Sequence, residues 1–404
     1  MDKKIDICGI CSSLTEGGFT AKFRGLSAID KYLGLPALPY IWIETNADIA
    51  ALARLCENLR FPGVEIADGA VDTIDGVCYF NCVEPDAKEN DSKGQYDGFS
   101  LLSFLYDSQT GSYKDPEGIY NNLRELKQRK ASLMEEDKVY LSSEYLNSLK
   151  ALWPNNHYAF FYAALLLARY GYIPELNNLS VNNFQISLKE PEMQRAFLSC
   201  LMLSPRPDWG LELLKNTGLL EILWPEIAIF DNVDHSKEFH PEGNVWNHTL
   251  ETFRHRKASA SGVYDLRLSL GLLLHDAGKP IADASGGHRF EGHAELGARA
   301  ASRFLERLEY PPSIVHDVYY LVRNHMLPAA LKRLPLSKTA EIMASPLFPT
   351  LMELYRCDES SSFKGLDGYY ENSAAYRTFL KNTKNPYRSL DGKKIGRLEI
   401  YKKI

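Results

Sequence analysis

Residues 268–280 read LSLGLLLHDAGKP. A largely apolar run stops abruptly at His275-Asp276 and is followed by Gly278 and Lys279. Nine of the ten histidines fall between His235 and His325. His248 lies upstream in NVWNHTL, and His293 (FEGHAELG), His325 (LVRNHM) and Asp358 (LYRCDES) lie downstream. The resulting order is His, His-Asp, His, His, Asp. Imidazoles and carboxylates brought together in this way are what hard and borderline divalent metals need for hydrolytic chemistry.

The setting of these residues is helical. From 244 to 358 the segments NVWNHTLETFRHR, LRLSLGLLLHD, GHAELGARAASRFLERL, SIVHDVYYLVRNHM, SKTAEIMA and PTLMELYRCD carry helical patterning. Adjacent residues on one helix point about 100° apart. His275 and Asp276 therefore share a site only where the helix end presents both to one cavity. The remaining ligands come from separate helices, so the site requires a bundle whose core it occupies. The apolar positions Leu351, Met352, Leu354 and Tyr355 turn the helix of Asp358 toward that bundle. Lys279, three residues after Asp276, is placed to act as a point charge for a phosphate oxygen. Taken singly, a histidine in a helix is more often a core or surface residue than a ligand. His255, His288 and His316 are read as such, and His240 in FHPEG stays open.

Composition bounds the rest. A chain of 404 residues has room for two or three domains, and 45% hydrophobic with 24% charged residues is ordinary for a globular protein. A net charge of −6 gives no overall attraction to nucleic acid. The seven cysteines are odd in number and scattered, which favours reduced thiols. Cys8-x-x-Cys11 has the spacing of half a zinc site or a redox pair, but no second CxxC exists and Cys78 and Cys82 are spaced differently, so these two read as small buried residues beside a strand. The first residues lack a long apolar core and no run approaches a membrane span, so a cytoplasmic protein with no membrane partner is expected.

The front of the chain looks mixed. YIWIET (40–45) and GVCYFNCVEP (76–85) read as strands and NADIAALARLCENL (46–59) as a helix between them. PDAKENDSKGQ (85–95) reads as loop, and FSLLSFLYD (99–107) as a strand or short helix. From 119 the pattern turns helical, with strong helices at 156–172, 193–203 and 208–223. The Tyr-, Asn- and Lys-rich end reads as a tail.

HPEGNVWNHTL, LLLHDAGKP, FEGHAELGA, LVRNHM and LYRCDESS resemble the HD superfamily of metal-dependent phosphohydrolases. More closely, they resemble the HD domain attached to bacterial tRNA nucleotidyltransferases, the CCA-adding enzymes and their poly(A) polymerase-like kin. The resemblance implies that His248, His275, Asp276 and Asp358 bind one metal. It also implies that His293 and His325 match the extra histidines of two-metal HD enzymes, with Asp276 bridging. The family chemistry is attack of a metal-bound hydroxide on phosphorus, which the ligand set fits independently. The likeness extends over roughly residues 17–365. AKFRGLSAIDKYLG (21–34) aligns with the family's glycine-rich element, and FSLLSFLYD with KDPEG aligns with its next conserved stretch. FFYAALLLARYGY aligns with its neck helix, and SPRPDWGLELLKNTGLLEILWPEI with its linker.

The departures from the family pattern all point one way. Tyr40 and Trp42 stand where its metal-binding Asp-x-Asp belongs, Leu26 replaces a glycine and Ile29 an arginine. Tyr96, Asp97 and Gly98 replace an Arg-Arg-Asp triplet, Leu102 an asparagine, and Ala159, Tyr162 and Leu165 the neck arginines. Phosphoryl transfer from a nucleoside triphosphate needs carboxylates for Mg²⁺ and cations for the triphosphate, and these changes remove both. Glu44 or Asp48 as substitute carboxylates is the alternative.

The expected architecture is an α+β nucleotidyltransferase-like head (1–118), an all-α neck and linker (119–230), an all-α HD bundle (231–365) and a C-terminal tail (366–404). The expected function is metal-dependent hydrolysis of a phosphomonoester or phosphodiester, nucleotide-derived, with Asp276 and Lys279 as catalytic residues. The cofactor is one or two divalent ions (Mn, Fe, Co, Ni, Zn or Mg). The head is left as scaffold, substrate filter or homodimer surface. Two alternatives stay open: a non-catalytic RNA-, tRNA- or nucleotide-binding protein, and a working tRNA nucleotidyltransferase. The basic residues Lys393, Lys394, Arg397, Lys402 and Lys403 of the tail read as a solvated surface.

Overall fold

A computed structural model describes residues 6–62, 67–74, 76–83, 99–129, 132–133, 135, 139–152, 157–176, 190–234, 243–282, 290–362 and 365–382. The loop expected at 85–95, Tyr96, Asp97 and Gly98, His235, His240, His288 and the basic residues beyond 382 lie outside them. The chain divides into two compact units, residues 1–219 with 259–263, and residues 220–258 with 264–404.

The first unit begins with α1 (Ile7–Glu16), β1 (Lys22–Arg24), α2 (Leu26–Leu33), β2 (Tyr40–Thr45), α3 (Ile49–Leu55), β3 (Gly69–Asp72) and β4 (Val77–Cys82). A 3-10 turn at Ser100–Ser103, β5 (Leu105–Asp107) and β6 (Tyr113–Lys114) follow. The strands form one sheet in the order β3-β4-β2-β1-β5-β6, in which only β2 and β4 run parallel. One face packs Ile41, Ile43, Val71 and Phe80 against Ile10 and Leu14 of α1 and Leu52 of α3. The helices α4 (Tyr120–Arg129), α5 (Ser143–Ala151), α6 (His157–Tyr170), α7 (Pro191–Met202) and α8 (Pro207–Asn216) complete this unit. Asp30 on α2 is buried and takes two bonds from Arg169 on α6, at 2.7 and 2.8 Å.

Cys8 and Cys11 lie on α1, not beside a strand as expected, and Cys8 is exposed. Ile7, Ile10 and Leu14 claim the buried face at helical spacing, which turns Cys8 outward. The stretch 99–107 is a 3-10 turn followed by a strand, so both readings of it hold in sequence. The single helix expected over 208–223 is two, because Gly218 adopts φ +77° between α8 and α9 (Leu219–Leu223).

Among its described residues the second unit is helical apart from one bridge between Asp234 and Asn244: α10 (Pro225–Ala228), α11 (Val245–Arg254), α12 (Leu266–Leu274), α13 (Lys279–Ala282), α14 (His293–Arg307), α15 (Pro312–Asn324), α16 (Leu336–Met343), α17 (Phe348–Ser360) and α18 (Asp367–Asn382). Every residue of α12 from Leu268 to Leu274 is buried. A helix apolar all round belongs at the centre of a bundle, and α12 packs on α11, α14, α15 and α17. Asp265 caps its start by accepting from the Arg267 and Leu268 amides. Helices α14 and α15 form a hairpin across a four-residue link, Leu308–Pro311. Residues 367–382, within the expected tail, form α18, which packs Tyr376 on Phe348 at 4.5 Å. Among the described residues, no helix is long and apolar enough to cross a membrane.

Candidate metal centre

The centre forms where α12 ends. His275 is the C-cap of α12 and Asp276 lies in the turn that follows, so both leave the helix and converge. Helix α11 brings His248, the start of α14 brings His293, the end of α15 brings His325, and α17 brings Asp358. All six residues expected as ligands meet. His248, His275, Asp276 and His325 are 1–2% exposed. Two groups have ligand atoms within 4.8 Å of one another: His248, His275 and Asp276, and Asp276, His293 and His325.

Asp276 stands in both groups, and its two oxygens divide the work. Oδ2 lies 3.4 Å from His275 Nε2 and 3.9 Å from His248 Nε2. Oδ1 lies 3.6 Å from His293 Nε2 and 3.9 Å from His325 Nε2. Asp358 joins the first group through Oδ1, 3.0 Å from His248 Nε2. Opposing Nε2 atoms approach closely, 3.3 Å between His275 and His248 and 3.1 Å between His293 and His325.

The far nitrogen of each ring is anchored. The Nδ1 atoms of His275, His293 and His325 lie 2.8, 2.7 and 2.7 Å from the carbonyls of Leu272, Phe290 and Val322. A carbonyl only accepts, so each Nδ1 carries the hydrogen and each Nε2 presents its lone pair to the centre. Metal-binding histidines are held in this way. These three carbonyls were not foreseen; the signal is an imidazole at a helix end, three residues from a backbone oxygen. Ser361 Oγ, also unforeseen, lies 3.3 Å from His248 Nδ1.

The centre holds two carboxylates and one ammonium. Burial alone would raise the Asp276 carboxyl, but Lys279 and the surrounding imidazoles hold it well below the usual carboxylate range. Asp358 is likewise lowered against its desolvation, by its bond to His248. Burial pushes His275 down, and pushes His325 down to about 4 with neighbouring His275 adding to it. The centre thus combines ionised carboxylates with imidazoles that burial keeps neutral at His275 and His325, donors of the kind a divalent cation requires. Lys279 Nζ sits 2.6 Å from Asp276 Oδ2 and 5.5 Å from the Phe290 ring centroid. Glycine fixes the approach of the turn to α14: a Cβ on Gly278 would lie 1.9 Å from the His293 carbonyl oxygen. His316 is exposed on α15, and His255, paired with Glu251 at 3.5 Å, is likewise away from the centre.

In the first unit, the face of β2 that carries positions 40, 42 and 44 is occupied by side chains. Trp42 stacks on Tyr79 at 4.5 Å, and Tyr40 stacks on the same ring at 6.4 Å. Tyr79 Oη donates to Glu192 of α7, which also accepts two bonds from Arg60. Of the two substitute carboxylates, Glu44 is buried and paired with Arg24 at 2.7 Å, and Asp48 caps α3 through the Ala51 amide. Ile29, Leu102, Ala159 and Leu165 are buried in the core.

Residues 245–345 match the HD domain family, a span that contains His248, His275, Asp276, His293 and His325 and stops short of Asp358. The CC-adding tRNA nucleotidyltransferase of Thermus thermophilus is 32% identical over 216 residues, 52% of this chain and 48% of that protein. The multifunctional CCA protein of Halorhodospira halophila is 34% identical over 125 residues, 31% of this chain and 29% of that protein. The chain thus spans about half the length of the first relative and less of the second. The crystal structure of the Bacillus stearothermophilus CCA-adding enzyme in complex with CTP aligns over 92% of this chain and 81% of that one, with a TM-score of 0.49 and 15% identity.

Proposed function

We propose that this tRNA nucleotidyltransferase-like protein with an HD domain is a metal-dependent phosphohydrolase whose nucleotidyltransferase site is inactive. The observation that carries the reading is the pair of ligand groups sharing Asp276. His248, His275, Asp276 and Asp358 would hold one ion, and Asp276, His293 and His325 a second. A divalent cation bound there lowers the pKa of a water and neutralises charge on a phosphoryl group. The chain's part is positioning: the Nδ1 anchors hold the imidazoles in one orientation and the packed helices exclude bulk water. Asp276 and Lys279 are the proposed catalytic residues. Lys279 is paired with Asp276 here, and its ammonium is the cation placed to meet a phosphate oxygen. In hydrolysis, water oxygen bonds to phosphorus, the P–O ester bond breaks, and the alcohol departs with a proton. The substrate class is a nucleotide-derived phosphomonoester or phosphodiester. Mn, Fe, Co, Ni, Zn and Mg are the candidate ions, since such ligands accept several of them.

The inactivity of the front site rests on its side chains. Tyr40 and Trp42 cannot hold Mg²⁺, Glu44 is engaged by Arg24, and buried apolar residues occupy positions where a triphosphate would need cations. A second reading, a tRNA- or nucleotide-binding protein without turnover, is favoured by the likeness to a CC-adding tRNA nucleotidyltransferase. Metal analysis of the purified full chain, then a phosphoester panel with each metal restored, tests the first reading. Tight tRNA binding with no phosphoester turnover under any metal would select the second. Incorporation of labelled CTP or ATP into tRNA would overturn the inactive front site.

A further inference from the structure

Cys8 and Cys11 are the second and fifth residues of α1, the first helix of the front unit. Successive helical residues turn by about 100°, so residues three apart lie about 60° from one another on one side. Ile7, Ile10 and Leu14 take the face that packs on the sheet. Cys11 therefore falls at the border of that face and Cys8 just outside it. Accordingly, Cys11 is half-buried against the core and Cys8 is exposed. All seven cysteines lie among the described residues, and Cys8 alone of them is exposed. Burial pushes the Cys11 thiol up, and the neighbouring Cys8 adds to the rise.

Two thiols in this relation are close to bonding distance. Cβ atoms three residues apart on a helix are about 5–6 Å apart, and a disulfide holds them at about 3.5–4.5 Å. Closing that gap by about 1–2 Å tightens the first turn of α1, whose amides have no partner further back in the helix. Asp6 caps this turn by accepting, at 2.6 Å, from the amide of Gly9, which lies between the two cysteines.

We propose that Cys8 and Cys11 form a reversible redox pair, closed to an intrahelical disulfide by a small-molecule disulfide of the glutathione type. Exposed Cys8 reacts first, and half-buried Cys11 resolves. Cys8 Sγ, its proton lost to water, attacks one sulfur of glutathione disulfide. A mixed disulfide forms on Cys8, and one glutathione thiolate leaves and is protonated. Cys11 Sγ, likewise deprotonated, attacks Cys8 Sγ, forms the Sγ–Sγ bond and expels the second thiolate, which is protonated. Two protein thiols are oxidised to one disulfide, and one glutathione disulfide is reduced to two thiols, so excess glutathione reverses the reaction. The pair belongs to the first unit and does not depend on the metal-centre reading.

The test equilibrates the full chain with glutathione disulfide and glutathione at a series of ratios. Each sample is quenched with acid, alkylated, digested with trypsin and weighed by mass spectrometry. Both cysteines fall in one tryptic peptide, IDICGICSSLTEGGFTAK, residues 5–22. As the buffer becomes oxidising, that peptide is expected to lose two hydrogens and both alkyl groups. The far-ultraviolet circular dichroism of the oxidised protein should match that of the reduced protein. Cys8→Ser should abolish oxidation of the peptide. Cys11→Ser, or Cys11→Ala if the serine unfolds α1, should instead trap glutathione on Cys8. Four results would each overturn the proposal: two free thiols at every ratio, glutathione retained on Cys8 in the natural sequence, a bond from Cys11 to neighbouring Cys78, or closure only in denaturant.

Discussion

Replacing Gly278 with alanine should pull the centre apart at one joint. The added Cβ would lie 1.9 Å from the His293 carbonyl oxygen and 2.5 Å from the Gly297 amide nitrogen. Ordinary contacts begin near 3.4 Å, so the turn carrying His275 and Asp276 must retreat from α14 by about 1.5 Å. Both obstructing atoms are backbone, so no side-chain rotation relieves the clash. Asp276 Oδ1 and His293 Nε2 are 3.6 Å apart, and metal–ligand distances tolerate only about 0.2 Å. A shift of that size separates Asp276 from His293 and His325. The expected stability cost is about 1–3 kcal/mol, the usual range for overpacking. Hydrolysis should fall about 100-fold or more, as for misplacement by an ångström. Metal content by elemental analysis, chemical denaturation and the phosphoester assay read the three effects. Gly271→Ala is the control: its nearest obstacles, at 3.1 and 3.2 Å, are the movable methyl groups of Leu354 and Leu321, so metal content should be unchanged. A Gly278→Ala protein with full metal, unchanged denaturation midpoint and undiminished turnover would refute the reasoning.

Other substitutions address the ligands and the front unit. Asp276→Ala should remove metal from both groups and abolish phosphoester hydrolysis, because it takes away the shared ligand; full occupancy by elemental analysis would sink the assignment. His293→Ala or His325→Ala should cost one metal equivalent, whereas His248→Ala or Asp358→Ala should weaken the other; a single equivalent indifferent to His293 would leave a one-metal centre. Tyr40→Asp with Trp42→Asp should not restore nucleotide addition to labelled tRNA, since residues acting as one unit do not contribute additively. It should lower stability by about 2–4 kcal/mol in chemical denaturation, because the stack on Tyr79 is lost and two carboxylates enter a half-buried face where Arg195 lies beside position 40 alone. Gain of CTP incorporation would show that the remaining departures do not matter.

The candidate ligands were legible in the sequence because their types are dictated by chemistry. Few residues bind divalent metals, and an apolar helix that ends in His-Asp announces a core helix with a polar terminus. The unbroken apolar run likewise identifies α12 as buried, and helical periodicity orients α17. The aromatic pair at 40 and 42 was readable as a departure from the family pattern for the same reason: Tyr and Trp offer no carboxylate. Periodicity was less help at the start of the chain, where α1 was missed and Cys8-x-x-Cys11 was set beside a strand.

Tertiary structure decided how the candidate ligands divide. Nothing in the order of residues says that Asp276 turns Oδ2 to His248 and His275 and Oδ1 to His293 and His325. Those distances depend on how four helices pack, and local spacing carries no information about the gap between side chains on different helices. The same holds for the Lys279–Asp276 pair, the meeting of Ser361 with His248 across 113 positions, and the closeness of Gly278 to α14. Residue type states what a side chain is able to hold, whereas only the packed bundle sets which atoms come within reach of one ion, because a bond length is a condition on three-dimensional position.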